Sequence, residues 1–118
     1  MTFELISEEL HNLLVPYTPL LTEEILEAVE GQLRDGLLMA PYLIISGEGI
    51  EAVELAGWDR LAALSDLIRS AGGALLVAGL SEQLKEEFQL RDFECTDDLQ
   101  EAFDEVDARV LDDDLDRA

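Results

Sequence analysis

Apolar residues recur at helical spacing in the segment that follows Thr22. Because residues three and four positions apart share one helix face, four of them form a single apolar stripe: Ile25, Leu26, Val29 and Leu33. The Thr22 hydroxyl can cap the helix, and the glutamates of the first turn suit the positive end of the helix dipole. The pattern therefore predicts an amphipathic helix that Gly36 can end.

Two short apolar-rich segments precede this helix, at residues 2–6 and 13–15. Their length predicts two strands joined as a hairpin, although Ser7 can instead cap a short helix in this region. Pro16 and Pro19 have no backbone N–H group. Residues 15–21 are therefore predicted to form an edge or a loop and not a central strand.

The middle of the chain predicts a strand, a helix and a second strand. Residues 42–45 form a continuous apolar run, which is typical of a central strand covered on both faces. Apolar residues then recur at helical spacing through residues 55–70, and the Gly72-Gly73 pair ends that helix before an apolar run at residues 74–78. Because such crossovers join parallel strands, the two strands are predicted to be parallel neighbours.

The last third predicts a short helix and an edge strand. Ser81 can cap a helix that carries Leu84 and Phe88, and residues 93–96 have the length of a final edge strand.

A last helix is predicted after Asp97 and Asp98. It would bury three apolar side chains: Leu99, Phe103 and Val106. The charge density of residues 109–118 predicts an acidic, frayed or disordered tail beyond a domain of residues 1–108. The fold class expected for that domain is α/β, with a central mixed sheet of about five strands and helices packed against it.

The charge balance narrows the classes of partner. The 118 residues include 28 acidic and 7 basic side chains, for a formal net charge of −21. Nucleic-acid binding is not expected, because contact with the phosphate backbone depends on lysine and arginine. The charge favours a basic partner, and no apolar run approaches the roughly 20 residues of a membrane span, so a cytoplasmic location without membrane insertion is expected. Cys95, as the single cysteine, fits a reducing compartment.

No set of residues predicts a catalytic, metal or cofactor site. His11 is the only histidine and lies in a predicted turn. Ser46-Gly47-Glu48-Gly49 follows a strand but lacks the lysine and the third glycine of a phosphate-binding loop. The glycines instead predict a sharp turn at the carboxyl end of a parallel strand, where open α/β sheets present binding surfaces.

The strand, loop, helix and double glycine between residues 43 and 73 resemble the STAS domains of anti-sigma-factor antagonists. The wider order of elements resembles this family over residues 2–106. The family usually has an Asp-Ser-Ser-Gly motif whose serine is phosphorylated by a partner kinase, and here the sequence is Glu54-Leu55-Ala56-Gly57. Two further departures are Pro16, in place of a glycine after the second strand, and Ser46, in place of a strand aspartate.

The resemblance implies a non-enzymatic regulatory domain that binds a protein, such as a histidine-kinase-like anti-sigma factor or an ATPase. Because Glu54, Leu55 and Ala56 have no hydroxyl group, binding is predicted to be independent of phosphorylation. A small-ligand sensor and a STAS-type subunit of a lipid-transport complex are the alternatives, and a homodimer is left open. The residues expected at the partner surface are Tyr17, Leu20, Ile50, Glu54, Leu55, Ala56, Gly57 and Trp58. Trp58 and the pair Tyr17 and Leu20 fit either a core or an interface role.

Overall fold

The computed structural model describes residues 2–36 and 40–117. Its seven strands, in chain order, are β1 (Phe3–Ser7), β2 (Asn12–Pro16), β3 (Leu20–Leu21), β4 (Tyr42–Ser46), β5 (Ala52–Val53), β6 (Ala74–Ala78) and β7 (Glu94–Thr96). Its four helices are α1 (Glu23–Gly36), α2 (Leu55–Ser70), α3 (Glu82–Leu90) and α4 (Leu99–Arg117). Within the described ranges, no helix combines the length and the apolar character that crossing a membrane requires.

Five strands form one mixed sheet in the order β1-β2-β4-β6-β7. The β1 and β2 strands pair antiparallel, and all other neighbours in this sheet pair parallel. The predicted α/β fold, the hairpin and the parallel pairing of β4 with β6 are therefore confirmed. The apolar run of β4 lies at the centre of the sheet, as predicted.

Helices cover both faces of the sheet. The larger core contains side chains of α1, α2 and α3 against one face, including Leu26, Leu64 and Phe88. The smaller core lies on the other face, where α4 packs Ala102 and Val106 against β4 and β6. Burial on both sides explains why β4 and β6 are apolar at nearly every position.

Two helix starts are capped as predicted. The Thr22 hydroxyl accepts a hydrogen bond of 3.2 Å from the Ile25 N–H at the start of α1. The Ser81 hydroxyl accepts one of 3.3 Å from the Leu84 N–H at the start of α3.

Residues 15–21 contain no central strand, as predicted, although four of them belong to strand ends or to a short strand. Val15 and Pro16 complete β2, and Leu20 and Leu21 form β3, which pairs parallel with β5 in a separate two-stranded sheet. Pro16 is accommodated because β2 pairs with β4 only as far as Leu14. On its other side Pro16 faces Phe3 between two hydrogen-bonded pairs, so no sheet hydrogen bond requires its missing N–H.

The helix α4 continues to Arg117, and residues 109–117 are therefore helical and not irregular. The division of the chain into a domain of residues 1–108 and a tail of residues 109–118 stays a prediction.

The amino ends of the parallel strands are tightly closed. The Asn12 side chain is buried and donates hydrogen bonds to the carbonyl oxygens of Ala40 (2.9 Å) and Tyr42 (3.3 Å). A Cβ atom at Gly73 would lie only 1.3 Å from the Pro41 carbonyl oxygen. We call this region the closed end of the sheet.

His11 lies in the β1–β2 turn beside the closed end. Its ring stacks on Phe103 of α4, with 4.9 Å between the ring centroids. Both ring nitrogens are buried without a hydrogen-bond partner. Burial lowers the pKa of His11, although the nearby carboxylates of Glu8 and Asp107 oppose this effect.

Candidate functional site

The candidate site lies at the opposite end of the sheet, where the loops after β2 and β4 meet. The Pro19 carbonyl oxygen accepts a hydrogen bond of 2.7 Å from the Glu51 N–H, and that of Leu21 accepts one of 2.9 Å from the Glu54 N–H. These contacts join β3 to β5 and fix the backbone directly before α2. The first turn of α2 is thereby held beside β3.

Gly57 allows this close approach. A Cβ atom at this position would lie 3.2 Å from the Leu21 carbonyl oxygen and 3.2 Å from Val53 Cγ1. Both distances are shorter than ordinary carbon contacts, so the missing side chain lets α2 pack against β3. Gly57 is buried, and its role is to position the neighbouring residues.

Two leucines near this junction are exposed to solvent. Leu55, the first residue of α2, is 85% exposed, and Leu20 of β3 is 42% exposed. An exposed apolar patch that is bordered by polar residues is typical of a protein-interaction site. Ala56 follows Leu55 and is partly buried.

The Glu54 side chain bridges the starts of two helices. Glu54 precedes α2, but its carboxylate makes no capping hydrogen bond to that helix. It instead accepts a 3.4 Å hydrogen bond from the Glu23 N–H at the start of α1. The carboxylate therefore interacts with the positive end of α1, a contact between residues 31 positions apart that sequence spacing does not reveal.

A shallow acidic groove of about 400 Å³ adjoins Glu54. It is lined by Thr22, Glu23, Glu24, Glu27 and Glu54. Arg60 of α2 forms ion pairs with Glu23 (3.3 Å) and with Glu30 (3.9 Å) and so ties α2 to α1 beside this groove. We call Leu20, Leu55 and the groove residues together the β3–β5 surface.

Sequence reasoning missed the three groove glutamates of α1, although Glu23 and Glu27 stand four residues apart on one side of a predicted helix. That spacing was the available signal.

Three of the predicted site residues lie elsewhere. Ile50 is only 3% exposed and belongs to the larger core, so its side chain is not at the surface. The Tyr17 ring is 55% exposed, and its hydroxyl donates a 2.6 Å hydrogen bond to Glu4 of β1, which raises the pKa of Tyr17. Trp58 is half-buried and turned toward α3.

The Trp58 ring belongs to an aromatic cluster with two phenylalanines. It meets Phe88 edge-on, with 4.8 Å between centroids, and lies 6.3 Å from the Phe93 ring. The Arg91 guanidinium carbon stands 4.0 Å from the Trp58 ring centroid, a cation–π geometry. These contacts favour the core role for Trp58 over the interface role.

The Ser46-Gly47-Glu48-Gly49 turn is tied to β6. The Gly47 N–H donates a 2.7 Å hydrogen bond to the Ala78 carbonyl oxygen. A Cβ atom at Gly47 would lie 2.5 Å from Leu80 Cδ2, so this position requires glycine unless Leu80 moves. The turn lies at the carboxyl ends of the strands, as predicted.

No protein-family model matches this sequence, and no curated protein matches it significantly. Similarity appears in solved structures. The anti-sigma factor antagonist SpoIIAA in its unphosphorylated form matches 88% of this chain and 96% of its own, with a TM-score of 0.70 and 15% identity.

Two further structures agree. An anti-sigma-factor antagonist (STAS) domain protein from Planctomyces limnophilus matches 88% of this chain and 96% of its own, with a TM-score of 0.70 and 17% identity. The Bacillus cell fate determinant SpoIIAA in its phosphorylated form matches 88% of this chain and 98% of its own, with a TM-score of 0.66 and 14% identity. The chain therefore has the STAS fold, as the resemblance implied.

Proposed function

We propose that this protein is a regulatory module that binds another protein through its β3–β5 surface, in the manner of an anti-sigma-factor antagonist. The observation that carries the proposal is Leu55, which is 85% exposed at the first position of α2. This is the place where the resemblance puts the regulatory motif of the family. The solved structures with the same fold include anti-sigma-factor antagonists, which supports the class of function.

A partner would gain a preordered apolar contact and a favourable electrostatic encounter at this surface. Leu55 stands on a backbone held by β3 and β5, so a partner would bury it without first ordering the loop. The acidic groove beside it would attract lysine or arginine side chains and speed the encounter. We therefore expect a partner with an apolar pocket bordered by basic residues.

We further propose that binding needs no phosphate on this chain. Residues 50–57 contain no serine, threonine or tyrosine, so the usual acceptor is absent from the sequence. Ser65, the nearest following hydroxyl, is buried in α2. Abundance, a ligand or a further subunit would then control the interaction.

The partner class that we propose is a histidine-kinase-like anti-sigma factor in the cytoplasm, with no catalytic step on this chain. An ATPase of a transport complex is the second class of partner that we consider.

The decisive measurement is the affinity of the purified partner for Leu55→Ala. The partner is first captured from native extract on the immobilised wild-type chain, identified and expressed. Titration calorimetry should then show a loss of about 2 kcal/mol, or about 30-fold in Kd, if Leu55 is a binding hot spot.

Leu90→Ala is the matched control, since Leu90 is 78% exposed on α3, away from this surface. Equal affinities for the two folded variants would reject the β3–β5 surface.

Phosphorylation is tested separately with the captured kinase and ATP. Mass spectrometry should find wild-type residues 50–57 unmodified, and Ala56→Ser tests whether a restored hydroxyl is accepted. A phosphate at Ser46 or Ser65 of the natural chain that alters partner binding would overturn the phosphorylation-independent proposal.

A further inference from the structure

The two edges of the main sheet are protected to different degrees. The β7 edge has three residues and is flanked by ion pairs, between Arg109 and Glu94 and between Lys85 and Asp97. The β1 edge has five residues and a single charged side chain, Glu4. Within the described part of the chain, no segment pairs with the outer side of β1. An unprotected edge strand is a template for another strand.

The backbone groups that β1 presents outward follow from its pairing with β2. The Tyr17 N–H donates to the Thr2 carbonyl oxygen, and the Glu8 N–H donates to that of His11, each at 2.8 Å. Hydrogen-bonded pairs alternate along an antiparallel ladder, so Glu4 and Ile6 also direct their backbone groups toward β2. Three residues therefore direct their N–H and C=O groups to the free edge: Phe3, Leu5 and Ser7.

Helix α1 continues this edge on one face of the sheet. Two open grooves, each of about 400 Å³, run between α1 and β1. Three α1 residues at four-residue spacing border them: Glu24, Ala28 and Gln32. These residues form a stripe on the side of α1 that faces the free edge.

We propose that β1 and the α1 residues Ala28 and Gln32 bind a second copy of this chain through antiparallel pairing of the two β1 strands. Leu5 pairs with the partner's Leu5, and the two-fold axis passes between these two residues. Phe3 then faces the partner's Ser7, and each facing pair exchanges two hydrogen bonds. The result is one continuous sheet across two subunits. This inference does not rest on the proposed function.

The strand register avoids contact between like charges. With Leu5 on the axis, Glu4 stands opposite the partner's Ile6, so the two Glu4 carboxylates do not face each other. In addition, the Tyr17 hydroxyl already donates to Glu4. For a chain with a net charge of −21, an edge with so few carboxylates is well suited to a second copy.

The same two-fold axis makes the helix stripe self-complementary. Ala28 lines the groove that contains Phe3, and Gln32 lines the groove that contains Leu5. The two α1 residues are about 6 Å apart along the helix, the distance of about two strand residues. Gln32 is therefore near the level of Leu5 and meets the partner's Gln32 close to the axis. Each amide can donate a hydrogen bond to the other, because an amide side chain is both a donor and an acceptor.

Sedimentation equilibrium over a concentration series, at 0.15 M and 1 M sodium chloride, tests the proposal. The mass should rise from 13.1 kDa toward twice that value as concentration increases. Salt should strengthen association. The Debye length falls from about 8 Å at 0.15 M to about 3 Å at 1 M, which weakens the repulsion between the two acidic subunits. A mass of 13.1 kDa under all conditions overturns the proposal and leaves the edge to a different protein.

Two variants locate the interface. Gln32→Glu places two carboxylates close to the axis and should raise the dimer dissociation constant about tenfold or more. Its control is Ala63→Glu, which adds the same charge at an exposed position of α2. Ser7→Pro removes an outward N–H group and should also weaken the dimer, whereas Ser7→Ala keeps that group and removes the same hydroxyl.

Circular dichroism confirms that each variant is folded before its association is measured. A dimer that tolerates both Gln32→Glu and Ser7→Pro uses another surface and overturns the assignment.

Discussion

The two ends of the main sheet differ in how their polar and apolar groups are satisfied. At the closed end, the buried amide of Asn12 donates to two backbone carbonyls, and Gly73 packs its backbone against Pro41. At the other end, Leu20 and Leu55 leave apolar surface in water, and glutamates line an open groove. The closed end therefore joins the strands to each other, whereas the opposite end leaves apolar and acidic side chains available to a partner.

This difference separates stability from recognition. Substitutions at the closed end remove contacts that the folded chain makes with itself, so they should lower the free energy of unfolding. Substitution of Leu55 at the β3–β5 surface removes little from the isolated fold, because that side chain contacts mainly solvent. Substitutions at both ends of the sheet therefore test this separation through the free energy of unfolding.

Gly73→Ala should have the largest effect. Its Cβ atom would overlap the Pro41 carbonyl oxygen, and because that atom belongs to the backbone, the chain itself must shift. We expect the free energy of unfolding to fall by about 3 kcal/mol, measured by urea denaturation.

The control for this change is Gly31→Ala on α1, where a Cβ atom meets nothing within 4 Å. It should stabilise the protein by up to about 1 kcal/mol, because alanine favours a helix. Equal effects of the two changes would contradict the tight packing at Gly73.

Asn12→Ala should lower the free energy of unfolding by about 2 kcal/mol, since the buried Ala40 carbonyl loses its side-chain donor. Urea denaturation again provides the measurement. Ser7→Ala removes only the hydroxyl that donates to Asn12 Oδ1 at 3.2 Å, and it should cost less. If Asn12→Ala proved as mild as Ser7→Ala, the amide would not join the strands in the way described.

Leu55→Ala should change the free energy of unfolding by no more than about 0.5 kcal/mol, because this side chain is almost fully exposed. Thermal and urea denaturation of the variant and the wild type give the comparison. A loss comparable with that of Asn12→Ala would mean that Leu55 serves the fold and not recognition.

His11→Phe should change how stability depends on pH. Burial lowers the pKa of His11 below its unfolded value of about 6.5, so the unfolded chain takes up the proton first as pH falls. The stability that depends on neutral His11 is present above the unfolded pKa and is lost as pH falls through it toward the folded pKa.

Urea denaturation between pH 7 and pH 5 should therefore show a larger loss for the wild type than for His11→Phe, with Glu8 and Asp107 unchanged in both. Parallel pH profiles would show that the neutral ring is not required beside Phe103.

Sequence patterns predicted the elements whose contacts are local or strongly periodic. The stripe on α1, the capping residues Thr22 and Ser81, and the apolar run of β4 each express a rule of spacing or chemistry within a few residues. The parallel pairing of β4 with β6 followed from the strand–helix–strand connection.

The patterns were less informative where distant segments decide the outcome. The two-residue strands β3 and β5 exist because segments about 30 residues apart pair with each other, which periodicity does not encode. Ile50 is buried because its loop folds back onto the core. The spacing of α2 placed Trp58 on a helix face but did not identify Phe88 as its neighbour.

The contact between Trp58 and the Arg91 guanidinium makes the intrinsic fluorescence of Trp58 sensitive to the folding of this region. The chain has a single tryptophan, so its indole fluorescence originates from one junction between α2, α3 and the segment before β7. Loss of the aromatic cluster and of the cation exposes that indole to water, and its emission should shift to longer wavelength. None of the four residues in this cluster belongs to the β3–β5 surface, so the signal reports on the integrity of the fold when that surface is altered.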